Sequence, residues 1–178
     1  MEKRYHHGDL RAALLEVGLR LLAERDVEGV SLREMAREVG VSATSVYRHF
    51  PDKAALMRAL AREGLDRLAN AQQDAASGKE GAATFAATGR AYVRFALANP
   101  ALFRLIFTTS AQLQATGEVK ALRMLRINAA EALPSGVAAD EAETSALRAW
   151  SLVHGLAMLM LDGQLPADDR LIGALIKE

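Results

Sequence analysis

The sequence predicts an all-α fold, and two features of its pattern lead to that prediction. Apolar residues recur at helical spacing along most of the 178 residues, and no segment alternates with period two as a half-buried strand does. Serine or aspartate precedes several of these apolar stripes, where its side chain can accept hydrogen bonds from the free N–H groups of a first helical turn. We therefore expect a three-helix N-terminal domain over residues 1–53 and a helical C-terminal domain over residues 54–178.

The composition excludes several classes of protein. Cysteine is absent, so disulfides, thiolate metal sites and cysteine nucleophiles are excluded. Lysine plus arginine and aspartate plus glutamate number 22 each, so the total charge indicates no partner. The longest apolar run, residues 149–161, contains His154 and is too short to cross a bilayer, and the first residues lack the apolar stretch of a signal peptide. We expect a cytoplasmic protein that does not contact a membrane.

Capping residues mark the predicted starts of the first four helices. Asp9 precedes the first apolar stripe, and Ser31 precedes the second, with Glu34 three residues later completing a capping box. Ser42 and Asp52 precede the third and fourth stripes. The remaining pattern predicts long helices and two short pieces, over about residues 52–76, 80–98, 101–107, 117–133, 140–162 and 168–177, the last with its apolar part from Leu171 to Ile176.

The second and third helices are short, and the three-residue turn between them contains Gly40. Gly40 readily adopts the positive φ that ends a helix. Ala36 is small enough for the third helix to cross closely, and Val46 can fill the gap between the two helices. Such a pair forms a helix-turn-helix, in which exposed residues at the start of its second helix reach base edges in the major groove. That start consists of Ser42, Ala43, Thr44, Ser45 and, one turn later, Arg48.

The segment SLREMAREVGVSATSVYRHFPDKAAL, residues 31–56, resembles the DNA-binding segment of TetR-type transcriptional regulators. The resemblance extends over about residues 10–60. It implies that Tyr47 packs within the motif and donates its hydroxyl to a DNA phosphate. It also implies that Lys53, Ser31 and His49 contact the phosphate backbone.

Base recognition is assigned to the exposed start of the third helix. Thr44, Ser45 and Arg48 are the candidates for hydrogen bonds to bases, and an arginine guanidinium matches O6 and N7 of guanine. Ala43 departs from this pattern, because its methyl group offers only apolar contact, for example with a thymine methyl. The alternative interpretation is that these residues are caps and solvated faces of a small helical bundle.

A basic arm precedes the first helix and consists of Lys3, Arg4, His6 and His7. One interpretation is that the arm extends along DNA phosphates or into a minor groove. The alternative is a chain terminus that makes no specific contacts. We favour a mobile arm.

Trp150, His154 and Gly155 reproduce the W-x-x-x-H-G signature of one class of C-terminal domain in TetR-type proteins, with similarity over about residues 80–175. The last two long helices of such proteins form a four-helix bundle between subunits. The resemblance therefore implies a homodimer through helices at about 140–163 and 168–177.

Aromatic and methionine side chains of the C-terminal part are candidates for an apolar effector pocket with polar atoms that orient a small molecule. Aromatic residues at helical spacing are more often part of an ordinary core, and a single histidine on an apolar face is usually a core residue too. The candidates are Phe85, Tyr92, Phe95, Phe103, Phe107, Met124, Trp150 and His154.

Motifs of enzymes are missing from the sequence: it contains no P-loop, no G-x-G-x-x-G, no H-E-x-x-H and no G-x-S-x-G. The four histidines do not form a metal-ligand set, so we expect no enzyme, no cofactor and no metal. The sequence predicts a ligand-responsive regulator, a homodimeric repressor that binds a palindromic DNA operator and is released by a small-molecule effector. The alternative is a helical ligand-binding or adaptor protein that does not bind DNA.

Overall fold

The computed structural model describes residues 10–114 and 139–177, which contain eight α-helices and no strand, so the predicted all-α fold is confirmed. The predicted cap Asp9, the basic arm, the predicted helix over 117–133 and Met124 lie outside the described residues. The helices are α1 (Leu10–Arg25), α2 (Leu32–Val39), α3 (Ala43–His49), α4 (Lys53–Ala76), α5 (Gly81–Ala98), α6 (Pro100–Gln114), α7 (Ala139–Leu161) and α8 (Asp169–Leu175).

Two compact units make up the described chain. The first comprises the described residues up to Gly64 together with Ala101–Leu113, and the second comprises Leu65–Pro100 together with the described residues from Gln114 onward. The predicted domain boundary between residues 53 and 54 is a division by function and stays a prediction.

The core of the first unit lies where α1, α2 and α4 meet. A Cβ atom at Gly18 would lie 3.0 Å from a methyl carbon of Leu60 and 3.3 Å from the terminal methyl of Met35. Leu60 and Met35 are themselves fully buried. Glycine at this position therefore allows α1 to approach both neighbouring helices closely.

The connection from α1 to α2 corrects one prediction. Asp26 has a φ of 64°, and its carboxylate accepts hydrogen bonds from the N–H groups of Glu28 at 2.8 Å and Gly29 at 3.3 Å. Ser31 occupies the N-cap position of α2, but its side chain makes no capping hydrogen bond. The predicted capping box is therefore wrong: the carboxylate of Glu34 accepts a hydrogen bond from Arg25 instead, at 2.8 Å.

The sixth helix is longer than predicted. The sequence predicts a short piece over 101–107, whereas α6 runs from Pro100 to Gln114. Proline at the first helical position costs no hydrogen bond, because the first N–H groups of a helix have no intrahelical partner. Thr108 lies within this helix, and its hydroxyl donates to the carbonyl oxygens of Arg104 at 3.0 Å and Leu105 at 3.2 Å.

In the second unit α5 packs along α7, and the short helix α8 packs against α5. Arg94 donates two hydrogen bonds to the carboxylate of Asp169, at 2.6 and 2.8 Å, at the start of α8. Arg90 donates to the carbonyl oxygen of Ile176 at 2.9 Å, just beyond its end. Ile172, in the middle of α8, is buried.

Helix α8 is shorter than the predicted helix over residues 168–177. It is capped by Asp168, whose carboxylate accepts a hydrogen bond from the N–H of Arg170 at 2.9 Å.

Candidate nucleic-acid interface and ligand site

The turn between α2 and α3 has the geometry that the sequence predicts. Gly40 has a φ of 75°. The N–H of Gly40 donates to the carbonyl oxygen of Arg37 at 3.2 Å, and the N–H of Val41 donates to the carbonyl oxygen of Ala36 at 2.9 Å. These two bonds form a Schellman motif, which needs a left-handed residue at the glycine position. Val46 is fully buried and Ala36 is 3% exposed, as the predicted helix crossing requires.

The start of α3 is fixed by its own serines. The Ser42 hydroxyl oxygen accepts a hydrogen bond from the N–H of Ser45 at 3.2 Å, so the predicted cap is confirmed. The two serine hydroxyls also lie 2.9 Å apart and share a hydrogen bond. Ser45 is half-buried as a result, whereas the remaining predicted contact residues of α3 are exposed to solvent: Ala43, Thr44, Tyr47, Arg48 and His49.

Three residues that the sequence assigns to phosphate contacts line one open surface cleft of about 550 Å³. Ser31 comes from the start of α2, Tyr47 from α3 and Lys53 from the start of α4. Arg33, an exposed residue of α2, lines the same cleft and was not predicted. Two carboxylates, of Glu28 and Asp52, line the cleft as well. The two hydroxyl groups and the two cations are groups that can bind a phosphate oxygen. The signal for Arg33 was its place two residues after Ser31, in the first turn of the same short helix.

The lysine of this cleft is held by the turn before α2. Lys53 Nζ donates to the carbonyl oxygen of Glu28 at 3.0 Å and lies 4.0 Å from the Glu28 carboxylate. Lys53 is the first residue of α4, and the Asp52 carboxylate accepts from the N–H of Ala55 at 2.6 Å, which confirms Asp52 as a cap. Lys53 thus begins α4, while its ammonium group is held at the turn before α2.

His49, Ala43, Thr44 and Arg48 are not among the residues that line the cleft. The predicted DNA contacts thus form two sets in the first unit: a cleft set and an exposed face of α3. Each residue's role in binding stays a prediction.

A chain of hydrogen bonds connects three of the predicted pocket residues in the second unit. Trp150 Nε1 donates to the hydroxyl oxygen of Tyr92 at 3.3 Å, and that hydroxyl lies 2.9 Å from Nδ1 of His154. Burial raises the pKa of Tyr92 above its ordinary value of 10.0 and lowers the pKa of His154 below 6.5. The Tyr92 hydroxyl oxygen accepts from Trp150, and its own proton can be donated to His154 in the tautomer whose Nδ1 carries no hydrogen.

The other predicted pocket residues have different surroundings. Phe95 is buried and Phe85 is half-buried, both on α5. Phe103 and Phe107 belong to the first unit, where their ring centroids lie 4.8 Å apart. The assignment of these residues to an effector pocket stays a prediction.

Two buried polar atoms of the second unit have no hydrogen-bond partner within the described residues: Gln72 Oε1 and Thr84 Oγ1. Gln72 is 1% exposed and lies four residues before the end of α4, and Thr84 is 9% exposed and lies three residues after the start of α5. Gln72 thus lies near the C-terminal end of α4 and Thr84 near the N-terminal end of α5, on either side of the connection between the two helices. The sequence analysis missed Gln72, although its spacing from Leu65 and Leu68 places it on the buried stripe of α4.

Helix-turn-helix geometry of this kind, with an exposed second helix and a cleft beside it that contains Arg33 and Lys53, defines a DNA-binding regulator. Residues 14–60 match the family model described as bacterial regulatory proteins of the tetR family, and residues 85–177 match the model described as a tetracyclin repressor-like C-terminal domain. The chain therefore belongs to the TetR family of transcriptional regulators. Members of this family are DNA-binding regulators, in agreement with the prediction that the chain is not an enzyme.

Solved structures resemble the chain over nearly its whole length. A protein of unknown function from Rhodococcus sp. RHA1 is 34% identical with a TM-score of 0.81, covering 97% of this chain and 94% of that one. A TetR family transcription regulator from Marinobacter aquaeolei VT8 is 23% identical with a TM-score of 0.66, at 95% and 92% coverage. A transcriptional regulator from Rhodococcus sp. Rha1 is 22% identical with a TM-score of 0.66, at 93% and 91% coverage. The last two share the fold.

None of the helices within residues 10–114 and 139–177 combines the length and the apolar character needed to cross a membrane.

Proposed function

We propose that this TetR-family regulator is a cytoplasmic homodimeric repressor that binds a palindromic operator and leaves it when a small-molecule effector binds the second unit. The observation that carries the DNA-binding part is the single cleft that gathers Ser31, Tyr47 and Lys53 beside the exposed face of α3. These residues come from three different helices, so the fold brings together groups whose shared chemistry is that of a phosphate site.

The two sets of DNA contacts have different roles in this proposal. The cleft residues and His49 bind phosphate oxygens and fix the position of α3 on the duplex, without reading sequence. Thr44, Ser45 and Arg48 hydrogen-bond to base edges, and Ala43 contributes a methyl contact. The hydrogen bond between Ser42 and Ser45 orients the Ser45 hydroxyl at the start of the recognition helix.

Exposed leucines support a homodimer through the helices of the second unit. Leu152 and Leu159 on α7 are 48% and 45% exposed and lie seven residues apart, on one face of the helix. Leu175 on α8 is 45% exposed. A Cβ atom at Gly155, between the two leucines, would meet nothing within 4 Å. A second copy that covers this face would bring two recognition helices into one assembly, and a palindromic operator with half-sites about 34–36 Å apart requires two such helices.

The polar atoms of the second unit support an effector site there. Gln72 Oε1 and Thr84 Oγ1 are buried without a partner among the described residues, and an unsatisfied buried polar group costs about 1–3 kcal/mol. A mainly apolar molecule with a hydroxyl or amide N–H donor would satisfy Gln72 and stabilise the conformation that binds it. Trp150 is the only tryptophan of the chain, so its fluorescence reports on this unit.

Titration of the full chain against a labelled duplex of random sequence, over a series of salt concentrations, tests DNA binding. The proposal predicts an affinity that falls steeply and linearly with the logarithm of salt concentration, because each phosphate contact releases counterions. Lys53→Met reduces the slope, whereas the matched change Lys79→Met, at an exposed lysine of the second unit, leaves it unchanged. A chain that does not bind any duplex at low salt is the adaptor of the alternative interpretation.

A further inference from the structure

Glu28 introduces a negative charge into the cleft that the proposed function assigns to phosphate. Its side chain is 94% exposed, and its carboxylate lies 4.0 Å from the Lys53 ammonium nitrogen. The backbone of Glu28 is fixed in place, because its N–H donates to the Asp26 carboxylate at 2.8 Å and its carbonyl oxygen accepts from Lys53 at 3.0 Å. The turn therefore fixes the main chain of Glu28 beside the cation, and the exposed carboxylate can reach the ammonium group from there.

The second acidic residue of the cleft differs from Glu28 in its bonding. Asp52 accepts a hydrogen bond from the N–H of Ala55 at 2.6 Å and serves as the cap of α4. The Glu28 carboxylate does not cap a helix in this way. The hydrogen bond that Lys53 donates to Glu28 goes to the main-chain carbonyl oxygen and not to the carboxylate. Replacement of the carboxylate by an amide therefore removes charge from the cleft without removing a bond that maintains the fold.

We propose that Glu28 limits the affinity of this regulator for DNA, because its carboxylate competes with a DNA phosphate for the Lys53 ammonium. The inference rests on the proposed function, in which Lys53 binds phosphate. A phosphate that approaches Lys53 must either displace the carboxylate or lie beside it, and both weaken binding. Since a phosphate contact carries no sequence information, Glu28 weakens binding to operator and to random DNA by the same factor.

The size of the effect follows from the exposure of the pair. Charges a few ångströms apart in high dielectric interact weakly, and salt screens them further. We therefore expect Glu28→Gln to tighten binding about threefold per subunit at low salt, or about tenfold for a dimer. The gain shrinks as salt rises. A gain of affinity cannot arise from misfolding, so the variant is informative even if its stability changes.

The test measures the affinity of wild type, Glu28→Gln, Lys53→Met and the double variant for a duplex of random sequence at several salt concentrations. Glu80→Gln is the matched control: it removes one negative charge at an exposed residue of the second unit whose side chain makes no capping hydrogen bond. We expect tighter binding for Glu28→Gln, no change for Glu80→Gln, and little further effect of Glu28→Gln in the Lys53→Met background.

Three results would overturn the inference. They are unchanged or weaker DNA binding by Glu28→Gln, an equal gain of affinity from Glu80→Gln, or an undiminished gain of affinity from Glu28→Gln in the Lys53→Met background. If Lys53→Met leaves DNA binding unchanged, the proposed phosphate role of the cleft fails instead. If Lys53→Met weakens binding but Glu28→Gln does not strengthen it, only the competition by Glu28 fails.

Discussion

The hydroxyl of Tyr92 and Nδ1 of His154 lie 2.9 Å apart and share a hydrogen bond, and this contact joins the middle of α5 to α7. Tyr92 is 3% exposed, so its hydroxyl must find a protein partner. Trp150, one turn before His154 on α7, donates to the same oxygen. Two residues of the W-x-x-x-H-G signature thus converge on a single buried tyrosine, which gives their spacing of four residues a structural reason.

Tyr92→Phe removes the oxygen that both partners share. Trp150 Nε1 and His154 Nδ1 lose this bond, and we expect the free energy of unfolding to fall by about 1–3 kcal/mol. Urea unfolding followed by circular dichroism measures the loss. Tyr47→Phe, at an exposed tyrosine of the first unit, is the control and is expected to leave stability unchanged. An equal loss in both variants would show that the hydrogen bonds of Tyr92 are not the cause.

Stability should depend on pH through His154. Burial lowers the pKa of this histidine below 6.5 in the folded chain, so the unfolded chain binds the proton at higher pH. The contribution of the neutral His154 to the free energy of unfolding is complete above about pH 6.5 and declines as the pH falls below that value. His154→Asn retains an acceptor for Tyr92 but does not titrate, so the decline below 6.5 should become smaller in that variant. Identical profiles of unfolding free energy against pH would contradict this.

Gly40 should tolerate only residues that accept a positive φ. Its φ is 75°, and a Cβ atom there would meet nothing within 4 Å, so the cost of substitution is conformational. We expect Gly40→Ala to lower the free energy of unfolding by about 1 kcal/mol. Gly40→Asn should lower it less, because asparagine adopts the left-handed region more readily. Equal losses in urea unfolding would mean that φ is not the source of the requirement.

Arg48→Ala and Tyr47→Phe separate base recognition from phosphate binding. Loss of the Arg48 guanidinium should cost about 1–3 kcal/mol at the preferred base pair and relax sequence preference there. Loss of the Tyr47 hydroxyl should weaken all sequences by a similar factor. Affinities for a panel of duplexes that differ at single base pairs distinguish the two patterns. If Arg48→Ala weakens every duplex equally, Arg48 does not read bases.

The exposed face of α7 should hold the dimer together. Leu159→Glu places a charge on the apolar face that Leu152 shares, and burial of an unpaired charge is strongly unfavourable. We expect the variant to become monomeric with unchanged helix content, as measured by analytical ultracentrifugation and circular dichroism. Ala82→Glu, at an exposed position in the first turn of α5, should remain dimeric. A dimeric Leu159→Glu protein would locate the interface elsewhere.

Local signals in the sequence predicted those parts of the fold that depend on one residue and its near neighbours. Ser42, Asp52 and Gly40 act through atoms at most five residues away, so their roles as caps and turn were predictable. The bonding of the predicted capping box at Ser31 was not predictable in this way. The Glu34 carboxylate, which would complete that box, instead accepts a hydrogen bond from Arg25, nine residues away. The end of α6 was misjudged because Thr108, Thr109 and Ser110 have low helix propensity, yet the helix continues through them to Gln114.

The candidate sites were predictable to a similar extent. Motif resemblance identified Ser31, Tyr47 and Lys53 before the fold placed them around one cleft. Glu28 was not recognised, because its approach to Lys53 spans 25 residues and depends on how the turn after α1 folds. Gln72 and Thr84 were missed for a different reason, since only the packed structure shows that their polar atoms are left without a partner among the described residues.

Selection of bound duplexes from a pool of random DNA by the full chain tests the central claim most directly. A symmetric dimer that reads bases through α3 should enrich a palindrome whose half-sites are about one helical turn apart. Arg48→Ala, carried through the same selection, should lose one conserved base pair from each half-site. Enrichment of no sequence, or of a single asymmetric half-site, would contradict recognition of a palindromic operator by a homodimer.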